Sequence, residues 1–179
     1  MERMTAVKSG KAIRFPESKV RPMGRTASGV RGIWMEDDDE AIGMVCVEPN
    51  NANILVVSEN GFGKRSAIED YRITNRGGKG VKTINMTEKT GNLIALIDVT
   101  DEDNLMIINR SGLTIRLEVS SLRVMGRNTQ GVKLINLRNE DSIAAVAKVS
   151  AAKDEENSEV VAEEERGEAE PNGQSEENV

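Results

Sequence analysis

The sequence predicts an all-β protein built from repeated four-stranded blades, with the array cut at both ends and followed by a disordered C-terminal tail. Three observations predict this class. A segment rich in glycine and arginine recurs at a fixed spacing, short apolar runs alternate with glycine turns, and residues 151–179 are strongly acidic. The spacing is 51 residues, from Arg25 to Arg76 (76 − 25) and on to Arg127 (127 − 76). A gap-free period of this kind is typical of a modular array in which each repeat is one supersecondary unit.

The repeat is clearest in the stretch YRITNRGGKGVKTI, which covers residues 71–84. Its recurring positions are Arg72, Arg76, Gly80, Val81, Lys82 and Ile84, with counterparts Arg21, Arg25, Gly29, Val30, Arg31 and Ile33 in the first repeat and Arg123, Arg127, Gly131, Val132, Lys133 and Ile135 in the third. Further upstream the match continues through Arg14, Arg65 and Arg116 and through Gly10, Gly61 and Gly112. The fixed points are therefore mostly glycines and cations.

Each repeat is predicted to contain a β-hairpin. The glycine turns read Ser9-Gly10, Asn60-Gly61 and Ser111-Gly112, and each lies between strand-like runs. An Asn-Gly pair in this setting predicts a two-residue hairpin turn because both residues accept a positive φ. The strand after each turn carries one cation, which is Arg14, Arg65 or Arg116.

Further strands complete a blade of four in each repeat. A second strand is expected after each glycine loop, at residues 29–35, 80–86 and 131–137. A third and a fourth strand are expected at 41–47 with 54–58 and at 93–99 with 105–109. After the third glycine loop only one further strand is expected, at 143–149. Residues 4–8 are predicted to be the last strand of a blade whose beginning is missing. The low aromatic content indicates packing by Ile, Val, Leu and Met.

The charge divides the chain into two predicted regions. Residues 151–179 contain eleven carboxylates and two cations, a net charge of −9, so the total of −6 leaves +3 for residues 1–150. The acidic region has almost no large apolar residues, and it cannot bury enough surface to offset the entropy of ordering. We therefore predict a partial blade array over residues 1–150 and a disordered acidic tail over 151–179. The tail either keeps the chain soluble or regulates it.

The composition excludes several classes of active site. The chain has no histidine and a single cysteine, so histidine-dependent triads, cysteine–histidine pairs, the usual zinc sites and an intrachain disulfide are excluded. We expect no catalysis, no metal and no cofactor from this chain alone. No apolar run approaches the roughly 20 residues of a membrane span, and residues 1–11 lack the apolar core of a signal peptide. A cytoplasmic location, with neither a membrane nor a small-molecule partner, is expected.

Two side chains that could suggest chemistry are interpreted as packing residues. Cys46 lies in the apolar run Val45-Cys46-Val47, which predicts an ordinary buried thiol. Tyr71 could suggest the nucleophile of a DNA-cleaving enzyme. Its position is occupied by Val20 and Leu122 in the other repeats, so the hydroxyl is not a recurring feature.

The loop Arg76-Gly77-Gly78-Lys79-Gly80 is the main candidate for binding. Glycines let the backbone approach a ligand closely, and flanking cations suit such a loop to phosphate. The loop lacks the GxxxxGK[ST] spacing of a nucleotide-binding P-loop. A requirement for positive φ would explain Gly29, Gly80 and Gly131 without any ligand, but it does not explain why the arginines recur as well.

Cations that recur once per blade predict a basic stripe along one rim of the array. Such a stripe suits duplex nucleic acid bound through its phosphates, with no base sequence read. The candidate DNA-binding residues are Arg21, Arg25, Arg31, Arg72, Arg76, Gly77, Gly78, Lys79, Lys82, Arg123, Arg127 and Lys133.

Over residues 4–149, the unit ending in a G-V-(K/R)-x-I loop, with RGGKG in one copy, resembles the C-terminal β-pinwheel domain of the DNA gyrase A subunit. The resemblance implies a propeller-like ring that wraps duplex DNA around a basic outer rim and so supports negative supercoiling. It implies as partners the rest of the gyrase A subunit and the gyrase B subunit, which together form an ATP-dependent type II topoisomerase. The acidic tail is also similar to those of the family.

The sequence departs from that family in three ways. A complete pinwheel has about six blades, whereas only about three repeats are present, so an incomplete ring is expected. Ile73, Thr74 and Asn75 stand where the family's glycine-rich box has a glutamine and a further arginine, which suggests a degenerate copy from a later blade. The breakage-reunion domain with its catalytic tyrosine is absent. The equivalent domain of topoisomerase IV and an RCC1-like propeller that binds proteins are the alternatives.

Overall fold

The computed structural model describes residues 1–47, 53–138 and 141–150, and this part of the chain is all-β. The disorder predicted for residues 151–179 lies outside the described residues. In chain order the strands are β1 Glu2–Val7, β2 Lys11–Pro16, β3 Ala41–Val47, β4 Asn53–Ser58, β5 Phe62–Ala67, β6 Val81–Lys82, β7 Leu93–Val99, β8 Asp103–Asn109, β9 Thr114–Glu118, β10 Val132–Lys133 and β11 Ile143–Ser150. The helices of the described part are three short 3-10 turns, Glu17–Lys19, Ile68–Asp70 and Val119–Ser121.

The strands form three antiparallel sheets, one for each repeat. The order is β3-β1-β2-β6 in the first sheet and β10-β5-β4-β7 in the second, and the described residues of the third give β11-β8-β9. Each sheet is based on a hairpin, formed by β1 with β2, by β4 with β5, and by β8 with β9. The predicted all-β architecture of repeated four-stranded blades is therefore confirmed.

The grouping of strands into blades differs from the predicted one. The sequence suggested that β3 and β4 share a blade, but β3 pairs with β1 and β4 pairs with β7. Likewise β1, expected to finish a missing blade, lies inside the first sheet between β2 and β3. A repeat period cannot locate the boundary between blades, because moving the starting point along the chain leaves the period unchanged.

The fourth strand of each four-stranded sheet comes from the following repeat. Strand β6 pairs with β2, and β10 pairs with β5. These strands have two residues each rather than the seven predicted, and residues 29–35 form no strand. Each short ladder ends with a bond from the N–H of Thr83 to the carbonyl of Gly10 (2.9 Å) or from Leu134 to Gly61 (2.8 Å). The ladder cannot extend further because the partner strand begins at that hairpin turn.

The hairpin turns contain glycine in the predicted positions but have a different length. In the first two hairpins three residues, not two, connect the strands. The N–H of Gly61 donates to the carbonyl of Ser58 (3.1 Å), so glycine is the fourth residue of the turn. Its φ of +84° is readily adopted by glycine alone, as expected for a turn that ends in a left-handed residue.

The apolar core lies between successive sheets. Strand β4 shows this arrangement because its side chains alternate between two clusters. Ile54 and Val56 pack with residues of the first sheet such as Met4, whereas Leu55 and Val57 pack with the third. The aliphatic packing predicted from the composition is thus what holds neighbouring blades together.

Of the two side chains predicted to be buried, one is buried and the other is not. Tyr71 is 1% exposed and its hydroxyl contacts Thr83, so it packs in the core. Burial raises the pKa of the Tyr71 phenol. The prediction of a buried Cys46 is wrong: its side chain is exposed and its Sγ contacts the guanidinium of Arg3. Strand β3 lies at a sheet edge, and Cys46 shares its outward face with the exposed Met44.

Candidate nucleic-acid interface

The sheets have two different edges, and the recurring glycine loops follow one of them. Strands β3, β7 and β11 form the inner edge, where β3 contacts β7 and β7 contacts β11. Strands β6 and β10 lie at the opposite edges of their sheets, which we call the outer edge. Both belong to the recurring loops at residues 21–33, 72–84 and 123–135, which we call the glycine segments. The glycine segments of the second and third repeats thus cover the outer edges of the first and second sheets.

The central glycine of a docked segment lies directly against the strand it covers. A Cβ atom at Gly80 would stand 2.6 Å from the carbonyl oxygen of Ala12, and one at Gly131 would stand 2.5 Å from that of Gly63. Both glycines also have positive φ, at +69° and +85°. Any side chain here would meet backbone, so these two glycines are required for docking as well as for the turn.

Successive glycine segments contact one another along the outer edge. The N–H of Gly77 donates to the carbonyl of Gly32 (2.6 Å), and the N–H of Trp34, the residue directly after the first segment, donates to that of Gly78 (2.9 Å). One repeat later, the N–H of Asn85, directly after the second segment, donates to the carbonyl of Thr129 (3.0 Å). The three segments therefore form a continuous row rather than three separate loops.

Two of the predicted arginines help to hold this row together. One guanidinium nitrogen of Arg76 donates to the carbonyl of Arg31 (3.1 Å), and the corresponding nitrogen of Arg127 donates to that of Lys82 (3.0 Å). Arg76 also donates to the carbonyl of Lys19 (3.0 Å). The recurrence of Arg76 and Arg127 therefore has a structural explanation that the sequence did not suggest. Arg25 is exposed and makes no hydrogen bond or ion pair with the described residues.

The first arginine of each glycine segment is exposed. Arg72 precedes Ile73, which bridges β2 at Arg14, and Arg123 precedes Val124, which bridges β5 at Arg65. Arg21, Arg72 and Arg123 are all exposed and make no hydrogen bond or ion pair with the described residues. The structure thus places Arg72 and Arg123 at the outer edges of the first and second sheets, whereas Arg21 begins a segment that covers none of the three described sheets.

The remaining predicted residues lie on the same row. Arg31, Lys82 and Lys133 are exposed, and the last two belong to β6 and β10. Lys79 is also exposed and its ammonium lies 5.0 Å from the ring centre of Trp34, within cation–π range. Gly78 is exposed, whereas Gly77 is half-buried against Arg31.

Sequence reasoning did not assign a role to the cations on the strands beneath the row. Arg14 donates to the carbonyls of Ile68 (2.8 Å) and Tyr71 (3.2 Å) and pairs with Glu2. One repeat later, Arg65 donates to the carbonyl of Leu122 and pairs with Asp101. These arginines fasten the 3-10 turn of one repeat to the preceding blade. The sequence shows that these arginines recur, but it does not show which carbonyls and carboxylates their side chains contact.

Lys64 lies beneath the third glycine segment, and no feature of the sequence suggested a role for it. It is 1% exposed, and its ammonium donates to the carbonyl of Gly126 (2.6 Å) and to the Thr129 hydroxyl (3.2 Å). Its counterpart in the first blade, Ile13, lines a cleft of about 150 Å³ beneath the second glycine segment. Burial lowers the pKa of Lys64 to about 8, although Asp70 acts in the opposite direction.

The described residues hold no other candidate site of comparable extent. They contain no group of three or more His, Cys, Asp and Glu side chains that could hold a metal ion. Within the same ranges, no helix is long and apolar enough to cross a membrane.

The fold and its outer edge define a class: an array of β-blades whose basic glycine segments form one exposed row. The model of the DNA gyrase C-terminal domain, beta-propeller family matches residues 8–48, 52–100 and 103–150. The chain belongs to this family.

Individual relatives agree with this assignment. The chain is 49% identical to the DNA gyrase A subunit of Staphylococcus aureus (strain MRSA252) over 146 residues, which are 81% of this chain and 16% of that protein. Among solved structures, a DNA gyrase A C-terminal domain has a TM-score of 0.76 at 26% identity and matches 82% of this chain and 50% of its own. The C-terminal domain of a DNA topoisomerase IV has a TM-score of 0.81 at 20% identity, over 91% of this chain and 51% of its own. The chain thus spans about a sixth of the length of its gyrase relatives.

Proposed function

We propose that residues 1–150 bind duplex DNA along the outer edge, without reading its sequence. The observation that carries this proposal is the row of glycine segments, each of which begins with an exposed arginine that has no hydrogen bond or ion pair with the described residues: Arg21, Arg72 and Arg123. Duplex DNA carries one negative charge per about 1.7 Å of axis, so a row of cations fits it better than it fits a single small anion.

The proposed role is DNA wrapping as part of a gyrase A subunit, in support of negative supercoiling. The succession of blades offers a path along which DNA can bend, and backbone contacts alone suffice for such binding. The catalytic reaction belongs to the whole type IIA topoisomerase, with the rest of the gyrase A subunit and the gyrase B subunit as partners. We assign no catalytic residue to this chain.

A gyrase origin is supported over a topoisomerase IV origin by sequence identity. The identity is 49% with a gyrase A subunit and 20% with the solved topoisomerase IV domain, whose likeness is one of fold. An interaction propeller of the RCC1-like kind would need an extended apolar or mixed patch on the rim. The glycine segments present mostly cations there, and their large exposed apolar residues are Ile73 and Val124.

Salt-dependent titration with a duplex of mixed sequence tests the proposal. The logarithm of the binding constant falls with the logarithm of salt concentration by about 0.9 per phosphate neutralised. Replacing Arg21, Arg72 and Arg123 together by Gln should make that slope shallower by about 3. Arg76 and Arg127 suit this test less well, because their bonds to backbone carbonyls link the repeats.

A matched control removes the same amount of charge elsewhere. Lys8 and Lys148 form ion pairs with Glu40 and Asp98, and Lys89 lies over the ring of Phe62. A triple Gln variant at these lysines should leave the slope nearly unchanged. An equal change of slope in both triple variants would mean that DNA responds to net charge and not to the outer edge.

A further inference from the structure

Two exposed apolar side chains occupy equivalent positions at the outer edge. Ile73 is 53% exposed and Val124 is 49% exposed, and they lie one repeat apart, at a spacing of 51 residues (124 − 73). Of the large apolar side chains that are exposed in the described part of the chain, only these two have such a counterpart. Single exposed apolar residues are common on protein surfaces, but their recurrence at the same point of successive blades requires an explanation.

The backbone on both sides of Ile73 is held in place. Ile73 bridges β2 at Arg14, and the N–H of the next residue, Thr74, donates to the carbonyl of Arg14 (2.9 Å). On the other side of Ile73, the carbonyl of Tyr71 accepts a bond from the Arg14 guanidinium (3.2 Å). The apolar side chain is therefore exposed on a fixed segment of backbone.

The same attachment recurs one repeat later around Val124. Val124 bridges β5 at Arg65, and the N–H of Met125 donates to the carbonyl of Arg65 (2.8 Å). The carbonyl of Leu122 accepts a bond from the Arg65 guanidinium. Both apolar side chains thus have the same backbone support.

The bridge by itself does not require an apolar side chain. β-Branched residues suit extended backbone, and threonine is β-branched as well. Threonine at these two positions would leave less apolar surface in water. The use of isoleucine and valine therefore points to a contact with an apolar group that the described residues do not supply.

Each of these apolar residues directly follows an exposed arginine. Arg72 precedes Ile73 and Arg123 precedes Val124, and neither arginine has a hydrogen bond or ion pair with the described residues. Consecutive Cα atoms lie about 3.8 Å apart, so a ligand bound by the arginine also comes close to the apolar side chain. Along a nucleic-acid strand, each phosphate is bonded to a sugar. A cation next to an apolar side chain thus matches a phosphate next to a deoxyribose, which has no 2′-hydroxyl.

We propose that Ile73 and Val124 pack against the deoxyribose next to the phosphates bound by Arg72 and Arg123, and that this contact makes the outer edge select DNA over RNA. The inference rests on the proposed DNA binding and adds a feature of the duplex that is recognised besides its charge. In RNA the 2′-hydroxyl would lie against an aliphatic side chain without a hydrogen-bond partner, which costs free energy. A contact with the sugar carries no base sequence, in agreement with binding that does not read it.

Replacing both residues by threonine in the full chain tests the inference. The variant Ile73→Thr with Val124→Thr keeps β-branching at the two bridges but removes much of the apolar surface. Titration with a mixed-sequence DNA duplex should show binding weakened on the order of tenfold at every salt concentration. The slope against salt should equal that of the parent chain, because no cation is removed. An unchanged slope also shows that the variant keeps its fold.

Titration with an RNA duplex of the same sequence supplies a second readout. The parent chain should bind the DNA duplex more tightly than the RNA duplex. The threonine variant should lose most of this preference, because a threonine hydroxyl can form a hydrogen bond with the 2′-hydroxyl. The different helix geometry of the two duplexes affects parent and variant alike, so a change in the ratio of affinities reports on the two side chains.

A matched control removes two exposed apolar side chains outside the glycine segments. Met44 lies on β3 and Ile108 on β8, and both are exposed. The variant Met44→Thr with Ile108→Thr should leave both affinities unchanged. If the Ile73 and Val124 variant matched the parent in DNA affinity and in the ratio, the inference would be overturned while the proposed DNA binding stood. Failure of the parent chain to bind DNA would overturn both.

Discussion

The recurring arginines differ in what their guanidinium groups contact. Arg14 and Arg65 donate to backbone carbonyls of the next repeat and pair with carboxylates, so their charge is already compensated. Arg72 and Arg123 are exposed and have no hydrogen bond or ion pair with the described residues. Position within the repeat therefore decides whether a recurring arginine attaches one blade to the next or stays exposed.

The buried ammonium of Lys64 should make the free energy of unfolding depend on pH. Its pKa in the folded state is lowered from 10.5 to about 8 by burial, so the folded chain binds fewer protons than the unfolded chain between these values. The free energy of unfolding should therefore rise with pH between about 8 and 10, by about 2 kcal/mol. Above pH 10 the raised pKa of Tyr71 acts in the opposite direction. Urea unfolding at several pH values measures this dependence.

Lys64→Met is the control for this prediction. Methionine keeps an unbranched side chain beneath the third glycine segment but does not titrate. The rise in stability between pH 8 and 10 should be nearly absent in the variant. If parent and variant show the same rise, another group is responsible and the ammonium of Lys64 is not desolvated in the folded state.

At the scale of elements, the glycine segment is the unit that joins one blade to the next. It contributes a strand of only two residues, but it also brings an arginine bond and a bond from the segment to the hairpin turn. Its attachment to the neighbouring sheet therefore depends on close backbone approach more than on a long ladder.

Substitution of the central glycine tests this dependence. Gly80→Val should lower the free energy of unfolding by roughly 1–3 kcal/mol, through positive φ and through contact with the carbonyl of Ala12. Gly29→Val should carry only the conformational cost, because no atom of the described residues lies within 4 Å of its Cβ position. Gly24→Val is the baseline, since Gly24 has no positive φ and no close neighbour in the described part of the chain. Equal losses at Gly80 and Gly24 in chemical denaturation would show that close docking contributes little.

The sequence predicted individual elements better than their assembly. The period and the turn glycines located the hairpins and most strands within one or two residues, because alternation and glycine are local signals. The partner of each strand depends on where a blade begins, which a period does not encode, and so β3 and β4 were grouped wrongly. Burial of Cys46 was mispredicted for the same reason, since an apolar run cannot tell an edge strand from a central one.

The candidate site was predictable only in part. Repetition identified the glycine segments and their cations, and the segments of the second and third repeats lie at the outer edge. Repetition alone could not distinguish Arg76, which binds backbone carbonyls, from Arg72, which is exposed, because both recur equally well. Lys64 had no recurring counterpart to mark it, since Ile13 stands in its place one repeat earlier.

At the scale of the whole molecule, the distribution of charge suggests that the acidic region weakens DNA binding. Residues 151–179 carry −9 and are attached to a body of +3. A group tethered by a short flexible segment generally has an effective concentration on the order of millimolar. We therefore expect these residues to compete with DNA phosphate for the cations of the outer edge. Deleting residues 151–179 should tighten DNA binding severalfold at low salt and have less effect at high salt, where screening is stronger. Titrations of both forms at two salt concentrations measure this, and equal affinities at low salt would leave only a solubilising role.

The central claim is that the outer edge wraps duplex DNA, and closure of a nicked circular plasmid in the presence of the full chain tests it most directly. A ligase seals the nick while the protein is bound. After the protein is removed, the linking numbers of the topoisomers show whether the DNA was wrapped with one handedness. We predict a shift in linking number that has one sign, grows with the ratio of protein to DNA and is lost in the Arg21, Arg72 and Arg123 triple Gln variant. A topoisomer distribution that stays at the protein-free position when the plasmid is saturated with the chain would contradict the account.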